Sequence, residues 1–153
     1  MNKLELKVPP VALVLITAAL MWLAAQLVPG FDFTFPPRIF IAAGFVLIGI
    51  VVSALGVVHF RRLGTTVNPI APQSASSLAV SGIYGRTRNP MYLGFLFVLL
   101  GWAVFLSNAF SFLFLPAFVA YMNRFQIRPE ERALSQLFGE QFSDYTSKVR
   151  RWL

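Results

Sequence analysis

The stretch from Asn89 to Asn123, NPMYLGFLFVLLGWAVFLSNAFSFLFLPAFVAYMN, contains no charged residue. A helix that crosses a bilayer needs about 20 apolar residues, with a range of about 17–25, so this run is too long for one ordinary span. Ser107 and Asn108 form a polar pair near its middle. The sequence therefore predicts a tight helical hairpin, with transmembrane helices at 91–106 and 109–124.

Two more apolar runs lie upstream, at 8–28 and 39–60, and each is long enough for a transmembrane helix. The first follows a short charged segment, as the apolar part of a signal peptide would. It is long for such a segment and no clean small-residue cleavage site follows it, so we expect a retained helix. The second run carries small residues at intervals that allow close approach of another helix: Gly44, Gly49, Ser53 and Gly56.

The composition supports this assignment. Of the 153 residues, 57% are hydrophobic and only 12% are charged, whereas soluble domains carry about 25% charged residues. We predict an all-α integral membrane protein with a single domain over 1–153. It comprises four transmembrane helices, the last two paired as a hairpin, and a C-terminal amphipathic cytoplasmic helix at 125–153. Its surroundings are the lipid bilayer; the sequence makes no prediction of oligomeric state.

The charges give an orientation and exclude several classes of site. The net charge is +7, and in a chain with so few charges this imbalance indicates a basic membrane face and no nucleic-acid partner. Lys and Arg are concentrated in 61–88 and from Arg124 onward, with only Arg38 between the first two spans. The positive-inside rule then puts both termini and the 61–90 loop in the cytoplasm, at the inner or plasma membrane if the protein is bacterial. Since there is no cysteine and a single histidine, no metal site is predicted.

The segment 125–153 has the pattern of an interfacial helix. Pro129 suits a first helical turn, and Glu130 and Glu131 favour the positive end of the helix dipole. Apolar side chains then recur at intervals of three and four, at Leu134, Leu137, Phe138, Phe142, Tyr145 and Val149. We expect this helix to lie on the cytoplasmic membrane surface.

The turn GIYGRTRNPMYLG, residues 82–94, allows two interpretations. In the first, Asn89 caps a helix whose first residue is Pro90, and the arginines and tyrosines are only interfacial residues. In the second, Arg86 and Arg88 share a membrane face with two glutamates beside an apolar hairpin. A pocket there would have one charged end and one apolar end, which suits a polar cofactor that meets a lipophilic substrate.

Two linked motifs carry a resemblance to a known family. The chain resembles the isoprenylcysteine carboxyl methyltransferases and their phospholipid methyltransferase relatives over about residues 57–153. The matching positions of the two motifs are Gly82, Tyr84, Arg88, Pro90, Tyr92 and Gly94, then Glu130, Glu131, Phe138, Gly139 and Tyr145. Asn89 stands where the eukaryotic members have His, and Phe142 stands where Tyr is usual. Asn keeps hydrogen-bonding capacity but cannot act as a base near neutral pH.

The resemblance implies a methyltransferase that uses S-adenosylmethionine on a lipophilic or prenylated acceptor. Arg88 and Glu131 are the implied catalytic residues. Arg88 would bind the cofactor carboxylate or orient an acceptor carboxylate, and these two roles stay open. The implied cofactor-binding residues are His59, Gly82, Tyr84, Arg88, Asn89, Pro90, Tyr92, Gly94, Glu130, Glu131, Phe138 and Tyr145.

Three functions therefore remain open at this stage. A carboxylate acceptor of the isoprenylcysteine type is already nucleophilic and needs no general base. A phospholipid amine must lose a proton on methylation, and Glu131 would be its natural base. A small membrane scaffold with no chemistry is the third possibility, and it predicts that no S-adenosylmethionine binds.

Overall fold

A computed structural model describes residues 5–64 and 72–153 of the chain. It contains the α-helices Pro10–Leu27 (α1), Arg38–Arg62 (α2), Pro90–Leu106 (α3), Phe114–Tyr121 (α4) and Arg128–Lys148 (α5). Short 3-10 helices lie at Pro29–Phe31, Pro72–Ser74, Gly82–Gly85 and Ala109–Leu113, and a π-helix at Met122–Ile127 joins α4 to α5. The prediction of an all-helical chain is confirmed. Part of the predicted 61–90 loop, residues 65–71, lies outside the described residues, as do residues 1–4.

Within the described residues, α1 with 18 residues and α2 with 25 residues are long and apolar enough to cross a membrane. α3 is equally apolar but has 17 residues. The outer faces of α1 and α2 are strongly apolar: Leu15 on α1 is 66% exposed and Phe40 on α2 is 81% exposed to solvent in the isolated chain. Exposed apolar surface of this extent fits a protein that is surrounded by lipid.

The contact between α2 and α3 is built on glycines. The Gly49 position leaves no room for a side chain, since an added Cβ would lie 2.5 Å from the Gly94 carbonyl oxygen. A Cβ on Gly94 would overlap the Ser53 hydroxyl, and one on Gly101 would lie 2.7 Å from the Ala42 carbonyl oxygen. Close backbone approach through small residues is how helices associate in lipid. The predicted packing role is therefore confirmed for Gly49 and for Gly56, which contacts Pro90 and Met91, but it is wrong for Gly44, which faces open space.

α1 packs on the other side of α3. The indole Nε1 of Trp102 donates a hydrogen bond of 3.0 Å to the Ala18 carbonyl, and the Ser111 hydroxyl donates one of 3.1 Å to the Met21 carbonyl. Both carbonyls belong to helix α1, so these bonds fix its height against the rest of the bundle. The buried core shared by α1, α3 and the segment after Ala109 consists of Met21, Tyr92, Leu99, Ala103, Phe118, Met122 and Ile127.

Asn108 holds the turn between α3 and α4. Its side chain donates to the Val28 carbonyl at 3.0 Å and to Asp32 Oδ1 at 2.7 Å, and it accepts from the Ser111 amide at 3.2 Å. Asn108 is fully buried. The polar pair that predicted a turn therefore also ties this turn to the connection between α1 and α2.

The sequence predicts that a fourth span at 109–124 ends before a separate tail helix, but the structure has no interruption of the helix at that boundary. Residues 109–124 comprise a 3-10 turn, the short α4 of 8 residues and the start of the π-helix, and helical backbone continues into α5. Pro129 explains the wide turn, because it lacks an N–H and its ring crowds the carbonyl of residue i−4. That carbonyl, on Phe125, accepts instead from the Leu6 amide at 3.0 Å.

The tail is not one regular helix over 125–153. Gly139 adopts φ 49 and ψ −119 inside α5, which kinks the helix, and regular helix ends at Lys148. A positive φ of this kind is readily adopted by glycine alone. Because of the kink, the predicted apolar stripe does not form one continuous face: Phe142 and Tyr145 are buried, whereas Leu137 is 46% exposed.

Candidate active site

The 3-10 turn Gly82–Gly85 brings Tyr84 against the end of α2. Gly82 has φ +60, and a side chain there would contact the His59 ring. The Tyr84 ring packs edge-on against Phe60 at 5.0 Å between ring centres. Tyr145 on α5 donates from its hydroxyl to the Tyr84 carbonyl at 2.7 Å. Burial raises the pKa of the Tyr84 phenol well above its usual range and that of Tyr145 to about 12, so both are neutral hydroxyls at physiological pH.

Residues after α5 fold back onto the turn that precedes α3. The Arg88 amide donates to the Arg150 carbonyl at 2.9 Å. The Thr87 hydroxyl and the Asn89 side-chain amide donate to the Arg151 carbonyl at 3.1 and 3.0 Å. Asn89 occupies the N-cap position of α3, but its side chain makes no capping hydrogen bond. The prediction that its side chain caps the helix is therefore wrong: the side chain holds the chain beyond α5 instead.

Glu131 lies between two arginines. Arg151 donates from Nε to both carboxylate oxygens at 3.0 and 3.1 Å and from a terminal nitrogen to Oε2 at 2.6 Å. Arg88 contacts Oε1 of the same carboxylate at 3.3 Å. The Arg88 and Glu131 side chains are only 15% and 17% exposed, so this ion pair is shielded from water and from salt.

Glu130 has a different environment from its neighbour. Its Oε1 accepts hydrogen bonds from the Tyr92 hydroxyl and from the Gln126 side-chain amide. Burial of this carboxyl raises its pKa from 4.5 to about 7, although the two hydrogen bonds counteract the rise. Adjacent glutamates are thus one ion-paired carboxylate and one carboxyl that titrates near neutral pH.

These groups surround one cavity. Its lining includes eight of the residues that the sequence assigns to the site, all but Pro90 with polar side chains: Tyr84, Arg88, Asn89, Pro90, Tyr92, Glu130, Glu131 and Tyr145. Its apolar wall comes from α2, α3, α5 and the loop before the 3-10 turn, with Phe60, Pro72, Ala75, Leu78, Ala79, Met91, Leu134 and Phe142. The cavity therefore combines a charged end with an apolar lining, and all of its walls belong to one end of the helix bundle.

Four of the residues assigned from the sequence do not line this cavity. The His59 ring packs at a tilt against the Tyr84 ring, and its Nε2 lies 3.3 Å from the Ser81 hydroxyl. Gly82 contacts that ring, and Gly94 packs against α2. Phe138 lines a neighbouring open groove that shares Ser77, Leu78 and Tyr145 with the cavity. These positions support the site through packing or border it.

Three polar residues of the site, Gln126, Arg151 and Ser77, and most of its apolar wall were not assigned from the sequence. Gln126 stands four residues before Glu130, a spacing that places both on one helix face and could have revealed it. Arg151 carries no local signal, because its contact with Glu131 depends on the chain turning back after Lys148. The loop residues Ser77 and Leu78 likewise reach the cavity only through tertiary structure.

Three buried side-chain atoms have no hydrogen-bond partner among the described residues: Ser77 Oγ, Tyr84 Oη and Arg88 Nε. All three residues line the same cavity. Buried polar atoms in native proteins are nearly always paired, so an unpaired group calls for a partner such as water or a ligand. Three such atoms on residues of one cavity are consistent with a pocket for a polar ligand.

Together, these features define a helical protein in which at least two helices are long and apolar enough to cross a membrane, with a partly buried, charged cavity. A family model described as phospholipid methyltransferase matches residues 37–141. The chain belongs to this family and is similar to its isoprenylcysteine carboxyl methyltransferase-like members.

Named relatives agree with this assignment. A probable protein-S-isoprenylcysteine O-methyltransferase of Oryza sativa subsp. indica is 36% identical over 111 residues, which cover 71% of this chain and 56% of the rice protein. Protein-S-isoprenylcysteine O-methyltransferase B of Arabidopsis thaliana is 30% identical over 107 residues, 68% of this chain and 53% of that protein. An uncharacterised protein of Haemophilus influenzae is 43% identical over 63 residues, 41% of this chain and 100% of that protein.

The chain thus spans about half the length of the plant relatives that it matches. No solved structure matches the chain.

Proposed function

We propose that this chain is an S-adenosylmethionine-dependent methyltransferase that acts on a lipophilic acceptor, of which a prenylated cysteine carboxylate is the leading candidate. The observation that carries the proposal is the cluster of unpartnered buried atoms Ser77 Oγ, Tyr84 Oη and Arg88 Nε, which line one cavity. Family membership and the methyltransferase names of the relatives support the same reaction class.

The donor set fits this cofactor. S-adenosylmethionine supplies, when bound, a methyl group on a positively charged sulfur, and it carries a carboxylate, an ammonium, ribose hydroxyls and an adenine. Arg88 has a free Nε donor for a carboxylate. Tyr84 and Ser77 offer hydroxyls that can donate or accept. Glu130 offers a carboxyl for the ammonium or the ribose, while Tyr84, Tyr92 and Tyr145 provide aromatic surface.

The apolar wall suits a lipid-like acceptor. Phe60 and Met91, from the ends of α2 and α3, line the cavity at the same end as the charged residues. An acceptor carboxylate held there is shielded from water and stays nucleophilic without a general base. The protein then contributes alignment of the reacting groups and a site with little water.

Arg88 is the residue that we assign to catalysis, with either the cofactor carboxylate or the acceptor carboxylate as its ligand. Glu131 holds one side of its guanidinium through the contact of 3.3 Å. An arginine fixed by a carboxylate on one edge presents its remaining N–H groups in a defined direction. Glu131 therefore acts by orienting Arg88.

We further propose that the helices 8–28, 39–60, 91–106 and 109–124 cross or enter the bilayer and that the cavity faces the cytoplasm. The exposed cations Arg61, Arg62 and Arg86 lie near the end of α2 that borders the cavity, whereas Arg38 lies at the opposite end of α2. This distribution supports the orientation given by the positive-inside rule.

The test is titration calorimetry of the detergent-purified protein with S-adenosylhomocysteine, followed by methyl transfer from labelled cofactor to an N-acetyl-S-prenylcysteine. We expect Arg88→Gln to weaken binding or turnover by about 10- to 100-fold, as for the loss of a charge-assisted hydrogen bond. Arg86→Gln is the matched control: Arg86 is exposed, stands two residues away and does not line the cavity. Absence of binding in a folded wild-type sample would refute the proposal and favour a non-catalytic scaffold.

Glu130 supports a second candidate, N-methylation of a phospholipid amine. The sequence favours Glu131 as the base for this reaction, but both oxygens of Glu131 are engaged by Arg151. Glu130, whose pKa is about 7, is the better proton acceptor. Phosphatidylethanolamine as acceptor, with a rate that rises through pH 7 and loses this rise in Glu130→Gln, would establish amine methylation. A prenylcysteine methyl ester as product, with no such rise, would establish carboxyl methylation.

A further inference from the structure

The segment Val149–Trp152 is hydrogen-bonded both to the turn at 87–89, which belongs to the site, and to Asn123, which lies outside it. After α5 the backbone becomes extended at Val149, and the carbonyls of Arg150 and Arg151 then accept hydrogen bonds from the turn at 87–89. The Trp152 indole donates to Asn123 Oδ1 at 3.1 Å and packs against the buried core. Both ends of the Arg151 residue are therefore fixed, which places its side chain beside Glu131.

The two arginines hold Glu131 unequally. Arg151 donates to it through Nε and a terminal nitrogen, with a shortest distance of 2.6 Å. The shortest distance from Arg88 to it is 3.3 Å. The orientation of the Glu131 carboxylate is thus set mainly by Arg151, and Glu131 in turn limits the positions open to Arg88.

We propose that Arg151 is a positioning residue for the reaction: it fixes Glu131 and, through Glu131, fixes the position of the Arg88 guanidinium in the wall of the cavity. This inference rests on the proposed function for its catalytic consequence. Its structural part, the coupling of Arg151 to Arg88 through Glu131, does not.

Arg150 provides an internal contrast. It precedes Arg151 and is also cationic, but its side chain is exposed and the site uses only its backbone carbonyl. A general contribution of positive charge or of tail docking would make the two arginines equivalent. A positioning role through Glu131 belongs to Arg151 alone.

The catalytic test compares Arg151→Met, Arg151→Lys and Arg150→Met, each checked for folding by thermal melting. We expect Arg151→Met to lower kcat by about 10- to 100-fold, the effect seen when a supporting hydrogen-bond partner of a site is lost. The KM for the acceptor should change less. Arg151→Lys should recover part of the loss, and Arg150→Met should have wild-type kinetics and wild-type S-adenosylhomocysteine affinity. Equal losses in Arg151→Met and Arg150→Met would overturn the inference.

Two mutant cycles test the route through Glu131. If Arg151 acts through Glu131, the double variant Arg151→Met/Glu131→Gln should be no slower than Glu131→Gln alone. Losses that multiply would show that Arg151 acts separately.

The second cycle needs no activity. The melting-temperature changes of Arg151→Met and Arg88→Gln should be non-additive in the wild-type chain and additive when Glu131→Gln is present. Additivity in both backgrounds would refute the coupling, whatever the chain catalyses. A wild-type protein that shows the coupling but binds no S-adenosylhomocysteine would refute the proposed function and limit the role of Arg151 to structure.

Discussion

Tyr92 on α3 donates its phenolic proton to Glu130 on α5, and Gln126 donates to the same carboxylate oxygen. The bond joins the first turn of an apolar helix to the first turn of the polar tail. It therefore connects the part of the chain that packs in the bundle with the part that carries the acidic pair. It also gives the cavity a carboxyl group whose protonation changes in the physiological pH range.

The raised pKa of Glu130 predicts a pH-dependent stability. Folded Glu130 has a pKa of about 7 and the unfolded value is 4.5, so between these values the folded state binds the additional proton. The stability that Glu130 contributes should be greatest below about pH 4.5, fall by at most about 3 kcal/mol as the pH rises toward 7, and level off above it.

Thermal melting of the detergent-purified protein between pH 4.5 and 8 measures this effect. Glu130→Gln keeps a hydrogen-bonding side chain but cannot titrate, so its melting temperature should lack that decline. Glu140→Gln, at an exposed position of the same helix, should behave as wild type. The same pH profile in Glu130→Gln and wild type would contradict the assignment.

Removal of the hydroxyl from Tyr84 and from Tyr145 should change the stability of the protein in opposite directions, because only the Tyr145 hydroxyl has a hydrogen-bond partner among the described residues. The Tyr84 hydroxyl is buried without a partner among the described residues, so Tyr84→Phe should stabilise the free protein by about 1 kcal/mol. The Tyr145 hydroxyl donates to the Tyr84 carbonyl, so Tyr145→Phe should destabilise it by about 1–3 kcal/mol.

Ligand binding should separate the same pair. If Tyr84 binds the cofactor, Tyr84→Phe should weaken the affinity for S-adenosylhomocysteine about 5- to 10-fold while raising the melting temperature. Melting curves and calorimetric titrations of both variants measure the two effects. A Tyr84→Phe protein that is less stable, or that binds as tightly as wild type, would show that the hydroxyl has another partner.

Local sequence patterns predicted those helices well whose bounds depend only on their own residues. The uncharged runs gave α1, α2 and α3 to within two residues at each end, and the small residues of α2 gave the contact at Gly49. The pairing of the turn at 84–92 with the two glutamates followed from the predicted orientation, which puts both on the same side of the membrane. It was expected from charge distribution and resemblance, and the cavity contains both.

What local patterns could not give are features that depend on distant partners. Asn89 has the sequence signature of a cap, yet the carbonyl of Arg151 competes for its side chain. Pro129 has the sequence pattern of an ordinary helix start, but a π-helix precedes it directly. The Phe125 carbonyl in that π-helix accepts a hydrogen bond from the Leu6 amide. The sequence showed that Gly139 matches the family pattern but not why glycine is needed there. The structure gives the reason, because Gly139 has a positive φ.

Gly94 distinguishes a packing role from a cofactor role. A methyl group at this position would overlap the Ser53 hydroxyl and the Gly49 carbonyl, so Gly94→Ala should destabilise the protein by about 1–3 kcal/mol by forcing α2 and α3 apart. Gly44→Ala is the control: the same change on α2 meets nothing within 4 Å, so it should not destabilise the protein and should stabilise it by up to about 1 kcal/mol, because Ala favours helix more than Gly does.

Thermal melting measures both variants, and calorimetry adds the decisive comparison. Because Gly94 does not line the cavity, the Gly94→Ala protein that remains folded should bind S-adenosylhomocysteine with wild-type affinity. A large loss of affinity at unchanged stability would instead assign Gly94 to the cofactor site, as the resemblance implies.

Asn108 should be among the most sensitive polar positions for stability and neutral for binding. It is fully buried and makes three hydrogen bonds, to Val28, Asp32 and Ser111. Asn108→Ala removes three hydrogen bonds from a fully buried position, at a cost of about 2–4 kcal/mol. Leu113→Ala, on the same 3-10 helix but 60% exposed, should change the stability of the detergent-purified protein by about 0.5 kcal/mol or less.

The whole length of α3 separates Asn108 from the cavity at Pro90, so the two measurements should be independent. Melting temperature should fall by several degrees in Asn108→Ala, while the dissociation constant for S-adenosylhomocysteine, measured well below the new melting temperature, should stay within a factor of about two of wild type. An affinity loss as large as that of Arg88→Gln would mean that the turn at 107–111 controls the geometry of the distant site, since no residue of that turn lines it.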